Sequence, residues 1–161
     1  MTTLLPLWGA AALFLMIVMS AAWLVQHRTG QGGWADVFWS FGLGAAGVGV
    51  ALFPIDNTSP SARQWLAAAL IGLWGLRLGL HIAARAAKEG EDARYARLRQ
   101  QWGERFQARM FGFLMLQAGA AAFLALSILL AARNPTPGLG LQDGMATLVF
   151  LAALVGEAVA V

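Results

Sequence analysis

The 161 residues are 59% hydrophobic and 12% charged, half the charge of a typical soluble domain, so they hold too little polar surface to cover a water-soluble fold. Cysteine is absent, which excludes disulfides and thiol chemistry, and two histidines without cysteine argue against a zinc site. The net charge of +3 is gathered in one short loop, which reads as a membrane-topology signal and not as a nucleic-acid surface.

The apolar residues fall in runs of the length a bilayer demands, about 20 residues for a helix. The first run, Leu4 to Val25, carries no charge and has Trp8 and Trp23 near its ends. No Lys or Arg precedes it and no small-x-small cleavage site follows, so it reads as a retained span and not as a signal peptide. A polar turn from Gln26 to Gly33 leads to a second span, about Trp34 to Phe53, whose Gly42, Gly44, Gly47 and Gly49 suit close helix contact in lipid. Pro54 to Arg63 is a turn with Asp56, Asn57, Ser59 and Pro60 as breakers. The third span covers about Trp65 to Ala84, and the polar stretch 86–109 follows. The fourth covers about Met110 to Ala132, with Gln117 expected to join helices, and a Pro/Gly turn runs from Asn134 to Gly140. A fifth run begins near Met145 and is still apolar at Val161, which reads as a chain cut inside a helix. The expected fold is an all-α, polytopic transmembrane bundle of about five helices in a single domain, with the tryptophans forming interfacial belts.

Lys and Arg favour cytoplasmic loops. The third loop holds Lys88, Arg94, Arg97, Arg99, Arg105 and Arg109, with Arg85 at its edge, whereas Arg28, Arg63 and Arg133 stand singly in the others. The expected topology therefore has loop 86–109 in the cytoplasm and the N-terminus outside. Glu89, Glu91, Asp92 and Glu104 are interspersed, at spacings that allow pairs with Arg94, Arg97 and Arg105. Tyr95, Leu98, Trp102 and Phe106 recur at steps of three and four, the stripe of an amphipathic helix. That helix either lies in the membrane interface or forms a flap whose arginines hold an anionic ligand such as a dinucleotide phosphate.

Ionisable residues inside a span cost about 2.5–3.5 kcal/mol each on insertion scales and face a cavity or a partner. Asp36 opens the second span; Arg77, His81 and Arg85 share one face of the third; Glu157 lies in the fifth. The topology puts all of them in the cytoplasmic half. Arg85 can snorkel to the interface, and Asp36 can cap its helix or pair with a basic neighbour. Arg77 and His81 lie too deep to snorkel, which leaves a polar cavity or ion pairs with Asp36 or Glu157. The outer halves of the spans read as purely apolar.

With these residues in view, the chain resembles the bacterial membrane proteins of unknown function related to steroid 5-alpha-reductases. The resemblance is carried by Ala35-Asp36-Val37-Phe38-Trp39-Ser40, then Trp74, Arg77, Leu78, His81 and Arg85, then Gly90-Glu91-Asp92-Ala93-Arg94-Tyr95, Arg99 and Trp102, and Gly156-Glu157. It implies a membrane-embedded reductase fold of about six or seven helices. It also implies NADPH entering from the cytoplasm and a lipid- or steroid-like substrate with a conjugated double bond. On this reading Arg77, His81, Arg85, Glu91, Asp92, Arg94 and Tyr95 line the cofactor site, and Arg77 and His81 are the candidate catalytic donors. The family's Arg-His-Pro-Asn-Tyr type motif is absent, and Val161 stands where an aspartate is expected four residues after Glu157. No Gly-x-Gly-x-x-Gly loop supports a Rossmann mode. The rival expectations are a small transporter or channel subunit, a membrane methyltransferase relative, and an inactive fragment. Membrane lipid is the expected partner, and substrate identity and oligomeric state are not legible.

Overall fold

The structure is a computed structural model that describes residues 3–55, 58–89 and 92–159. The described residues form six α-helices and no strand: α1 (Leu4–Thr29), α2 (Trp34–Leu52), α3 (Ala62–Glu89), α4 (Ala93–Trp102), α5 (Phe106–Ala132) and α6 (Leu141–Val159). Five helical stretches are long and apolar enough to cross a membrane, with α4 a short helix leading into the α5 stretch. The breakers Asp56 and Asn57, and Gly90, Glu91 and Val161, lie outside the described residues.

Helices overrun the expected limits wherever charge was used to draw them. α3 continues to Glu89 instead of stopping near Ala84, and α5 starts at Phe106 instead of Met110. Leaving lipid does not end a helix; a change of backbone conformation does. Gly30 ends α1 at φ +76°, and its N–H closes on the Gln26 carbonyl. Gly103, at φ +49°, breaks the expected amphipathic helix into α4 and α5.

The break changes what the apolar stripe does. Tyr95 and Phe106 are buried with Met110, Leu114, Met19, Ala22 and Ala35, and Leu98 and Trp102 pack against them. The stripe thus turns inward and seals one end of the α1/α2/α5 core. Nearer the other end, Leu15, Leu43, Val50, Ala121, Ala125 and Leu129 form a second core cluster.

Three tryptophans join helices through their indole N–H groups. The indole N–H groups of Trp8, Trp39 and Trp23 donate to the α5 carbonyls of Ala122 (2.8 Å), Gln117 (3.2 Å) and Gln107 (3.2 Å). Gln117 therefore contributes its backbone to the helix contact, while its side-chain Oε1 is buried without a partner among the described residues. The glycines of α2 divide by face. A Cβ on Gly42 would meet Val18 of α1 at 2.9 Å, and one on Gly47 would meet Ile71 at 2.8 Å. Gly44 stands against Gly75 of α3, where the two backbones meet directly, and Gly49 has nothing within 4 Å.

α6 is attached differently. None of its described residues is buried, and among the described residues it packs against α3 alone. Two ion pairs hold it, Arg63–Asp143 at 2.8 Å and Arg77–Glu157 at 2.9 Å. The Arg63 guanidinium uses every donor. Nε and Nη2 grip both Asp143 oxygens, Nη2 also reaches the Gly138 carbonyl, and Nη1 holds the carbonyls of Asn134 and Thr136. Arg63, only 9% exposed, thus organises the α5–α6 turn just before the expected third span begins.

Candidate functional site at the charged end of the bundle

The ends of α2, α3 and α4 border an open cavity of about 680 Å³. Its walls are Asp36, Trp39 and Ser40 of α2, Leu78, His81, Ile82 and Arg85 of α3, and Asp92, Ala93 and Arg94 at the start of α4. One side is apolar (Trp39, Leu78, Ile82) and the mouth is ionic.

The mouth is held by a network centred on Arg94. Its Nη2 donates to Asp36 at 2.6 Å and to Asp92 at 2.9 Å, and its Nε donates to Asp92 at 3.1 Å. Asp92 also caps α4 by accepting the Arg94 backbone N–H at 2.9 Å. Asp36 is therefore a pairing residue and not a helix cap, since it lies in the first turn of α2 and the cap position is Gly33. The other Asp36 oxygen accepts from the Tyr95 hydroxyl at 3.1 Å. That contact and the buried ring make Tyr95 an anchor for α4. A Cβ on Gly32 would come within 2.3 Å of the Tyr95 ring, so a glycine there gives the ring its seat. Arg99 completes the attachment by donating to the Gly30 carbonyl at 2.7 Å. α4 is tied to the α1–α2 turn by these contacts, and its first residues form one wall of the cavity.

The charged residues expected to converge divide into two groups. Arg77 turns to α6 and binds Glu157, and it is not part of the cavity wall. His81 and Arg85, one and two turns further along α3, do line the cavity, and Arg85 lies 3.7 Å from Asp92. The His81 ring has no hydrogen-bond partner among the described residues. Glu91 lies outside the described residues. Of the acid–base pairs expected within the loop, Arg94–Asp92 forms, whereas no pair to Arg97 or Arg105 appears among the described residues.

A family model of proteins of unknown function, DUF1295, matches residues 22–161. The chain belongs to the DUF1295 family. Neither the curated proteins nor the solved structures give a match. The DUF1295 segment contains the whole cavity and both ion pairs to α6. Ile82 belongs to this DUF1295 cavity although no charge or motif marks it; it lies beside His81 on α3, whereas Ser40 and Ala93 fall inside the motifs that carry the resemblance without having been named as site residues.

The Arg94 guanidinium beside Asp92 holds its carboxyl below the ordinary value of 3.8, against the opposing effect of burial, with Arg85 adding a smaller charge effect. A depressed carboxylate contributes stability that is present above its unfolded pKa and lost as pH falls through the folded value. Docking of α4 should therefore hold from neutral pH down to about 4 and loosen below 3.8. Hydrogen exchange of amides 93–102 against pH measures this. An Asp92→Asn variant should lose that acid dependence, and a wild-type profile that stays flat below pH 3 would sink the assignment.

Proposed function

We propose that this DUF1295 protein is part of a membrane-embedded oxidoreductase of the steroid-reductase type, which reduces a conjugated double bond in a lipid-like substrate with NADPH. The observation that carries the reading is the cavity. Its volume falls within the usual range for ligand pockets, about 300–1,000 Å³. It has an apolar side for a hydrocarbon skeleton and an ionic mouth for a polar cofactor. The residues fit the cofactor in kind: Trp39 offers an aromatic wall, His81 an imidazole without a hydrogen-bond partner among the described residues, and Arg85 and Arg94 cations at the entrance.

NADPH would supply the hydride. The chain's own task is to hold the substrate dry and to donate a hydrogen bond to the carbonyl oxygen on which negative charge builds. His81 is the residue we assign to that donation. Arg77, its companion in the sequence-based reading, is taken by Glu157. We further propose that the basic end of the bundle faces the cytoplasm of a bacterial inner membrane with the N-terminus outside, because Arg28, Lys88, Arg97, Arg105 and Arg109 all gather at that end. A transport path is the weaker reading, since the α2 and α3 backbones meet at Gly44 and Gly75, one turn beyond the cavity residue Ser40.

NADPH affinity measured in detergent tests the proposal, on this chain and on any longer product of the same reading frame. His81→Ala and Arg85→Ala are each expected to weaken binding about tenfold, equivalent to about 1.4 kcal/mol. Absence of dinucleotide binding in every form, or binding indifferent to both substitutions, overturns it.

A further inference from the structure

The cations at the charged end fall into two populations. Arg85 and Arg94 belong to the ionic network at the cavity, and Arg99 holds the Gly30 carbonyl. Arg28, Lys88, Arg97, Arg105 and Arg109 are all exposed and have no partner among the described residues. Against these five, one described carboxylate at this end, that of Glu104, is exposed and unpaired.

Their positions along the helices are not random. Arg105 immediately precedes α5, and Arg109 lies in its first turn. Arg109 then continues at steps of seven into Leu116, Phe123 and Leu130, which are 72%, 68% and 56% exposed. On α1, Arg28 ends the outward row of Ile17 and Leu24. On α3, Lys88 ends the row of Leu76 and Leu80. Residues at such steps share one helix face. Three helices thus each carry an outward apolar row terminated by an unpaired cation. An apolar row of this kind is solvated by acyl chains, and the cation that ends it sits at the depth of the lipid headgroups.

We propose that this end of the bundle is a docking surface for anionic phospholipids. Their phosphates would pair with Arg28, Lys88, Arg105 and Arg109, and their chains would lie on the apolar rows below, with Arg97 on the outer face of α4 adding to the field. The apolar continuation of each row is what points to a lipid and not to a soluble anion: a free phosphate would use the cations alone. The inference does not depend on the reductase reading, because none of these residues lines the cavity.

Native mass spectrometry and thermal unfolding with added lipid provide the test. The purified chain in neutral detergent is titrated with phosphatidylglycerol, with phosphatidylcholine, and with inorganic phosphate. Phosphatidylglycerol is expected to be retained and to raise the melting temperature more than phosphatidylcholine. Its advantage should fall by about fivefold for each charge removed in Arg105→Gln and Arg109→Gln. These exposed side chains hold no partner, so the variants are expected to fold as the wild type does, which unfolding without lipid checks. Equal retention of the two lipids, an advantage unchanged in the double variant, or stabilisation by inorganic phosphate alone to the same degree would each overturn the proposal.

Discussion

Arg63→Ala is expected to be the most damaging side-chain truncation in this chain, lowering the melting temperature in detergent further than Arg77→Ala or Arg94→Ala. Arg63 donates five hydrogen bonds, to both oxygens of Asp143 and to the carbonyls of Asn134, Thr136 and Gly138. Truncation leaves a carboxylate and three carbonyls without their donor at once, in a partly buried setting where an unmade hydrogen bond costs more than an intact one contributes. Asp143 would still cap α6 through the Gly140 N–H at 2.8 Å, so the helix should persist while the turn before it loses order. Arg63→Lys should recover little, because an ammonium has three donors and cannot grip a carboxylate with two parallel bonds while reaching the carbonyls. A melting temperature unchanged in Arg63→Ala would refute the role given to this residue.

The second large effect is expected from Gly75→Val. A Cβ at position 75 would lie 2.9 Å from the Gly44 Cα and 3.2 Å from the Ser40 carbonyl oxygen, and both are backbone atoms that no rotamer change can move. The helices must separate, at a cost of about 1–3 kcal/mol or more by the usual scale of overpacking. Gly49→Val is the matched control, since nothing lies within 4 Å of that position, and it should be close to neutral. Ser40 also lines the cavity, so the displacement should reach the site. Comparing thermal stability of the two variants decides the matter; equal effects would mean that the Gly44–Gly75 contact does not hold α2 to α3.

Much of the architecture was legible in the sequence because bilayer thickness allows few solutions. The apolar runs gave the spanning helices in order, and the glycines of α2 marked its close contacts at Gly42, Gly44 and Gly47. The polar site was legible for a related reason. Asp36, Arg77, His81, Arg85 and Glu157 are costly in lipid and therefore conspicuous. Helical periodicity placed Arg77, His81 and Arg85 on one face of α3, but a face does not name its neighbour. The structure gives Arg77 to α6, while His81 and Arg85 border the cavity between α2 and α4. The hydrogen bonds of Trp8, Trp23 and Trp39 to α5 were not legible, because an indole suits an interface and an interhelical hydrogen bond equally well. Arg63 was counted only as a loop cation and Asp143 was not singled out. A signal for them existed: Arg63 and Arg77 are 14 residues apart, and so are Asp143 and Glu157.

That equal spacing bears on how the protein is made. α3 supplies both cations and α6 both anions, so the two pairs form together in one register, about 21 Å apart along parallel helices. Each pair joins residues 80 positions apart in the chain. At ordinary synthesis rates of about 5–20 residues per second, α3 emerges about 4–16 s before its counter-charges exist. Throughout that interval Arg77 stands in its span without its carboxylate. Biogenesis therefore passes through a stage in which α1 to α5 can assemble while a charge on α3 still waits, and the arrival of α6 neutralises it and sets its own depth and rotation in one step.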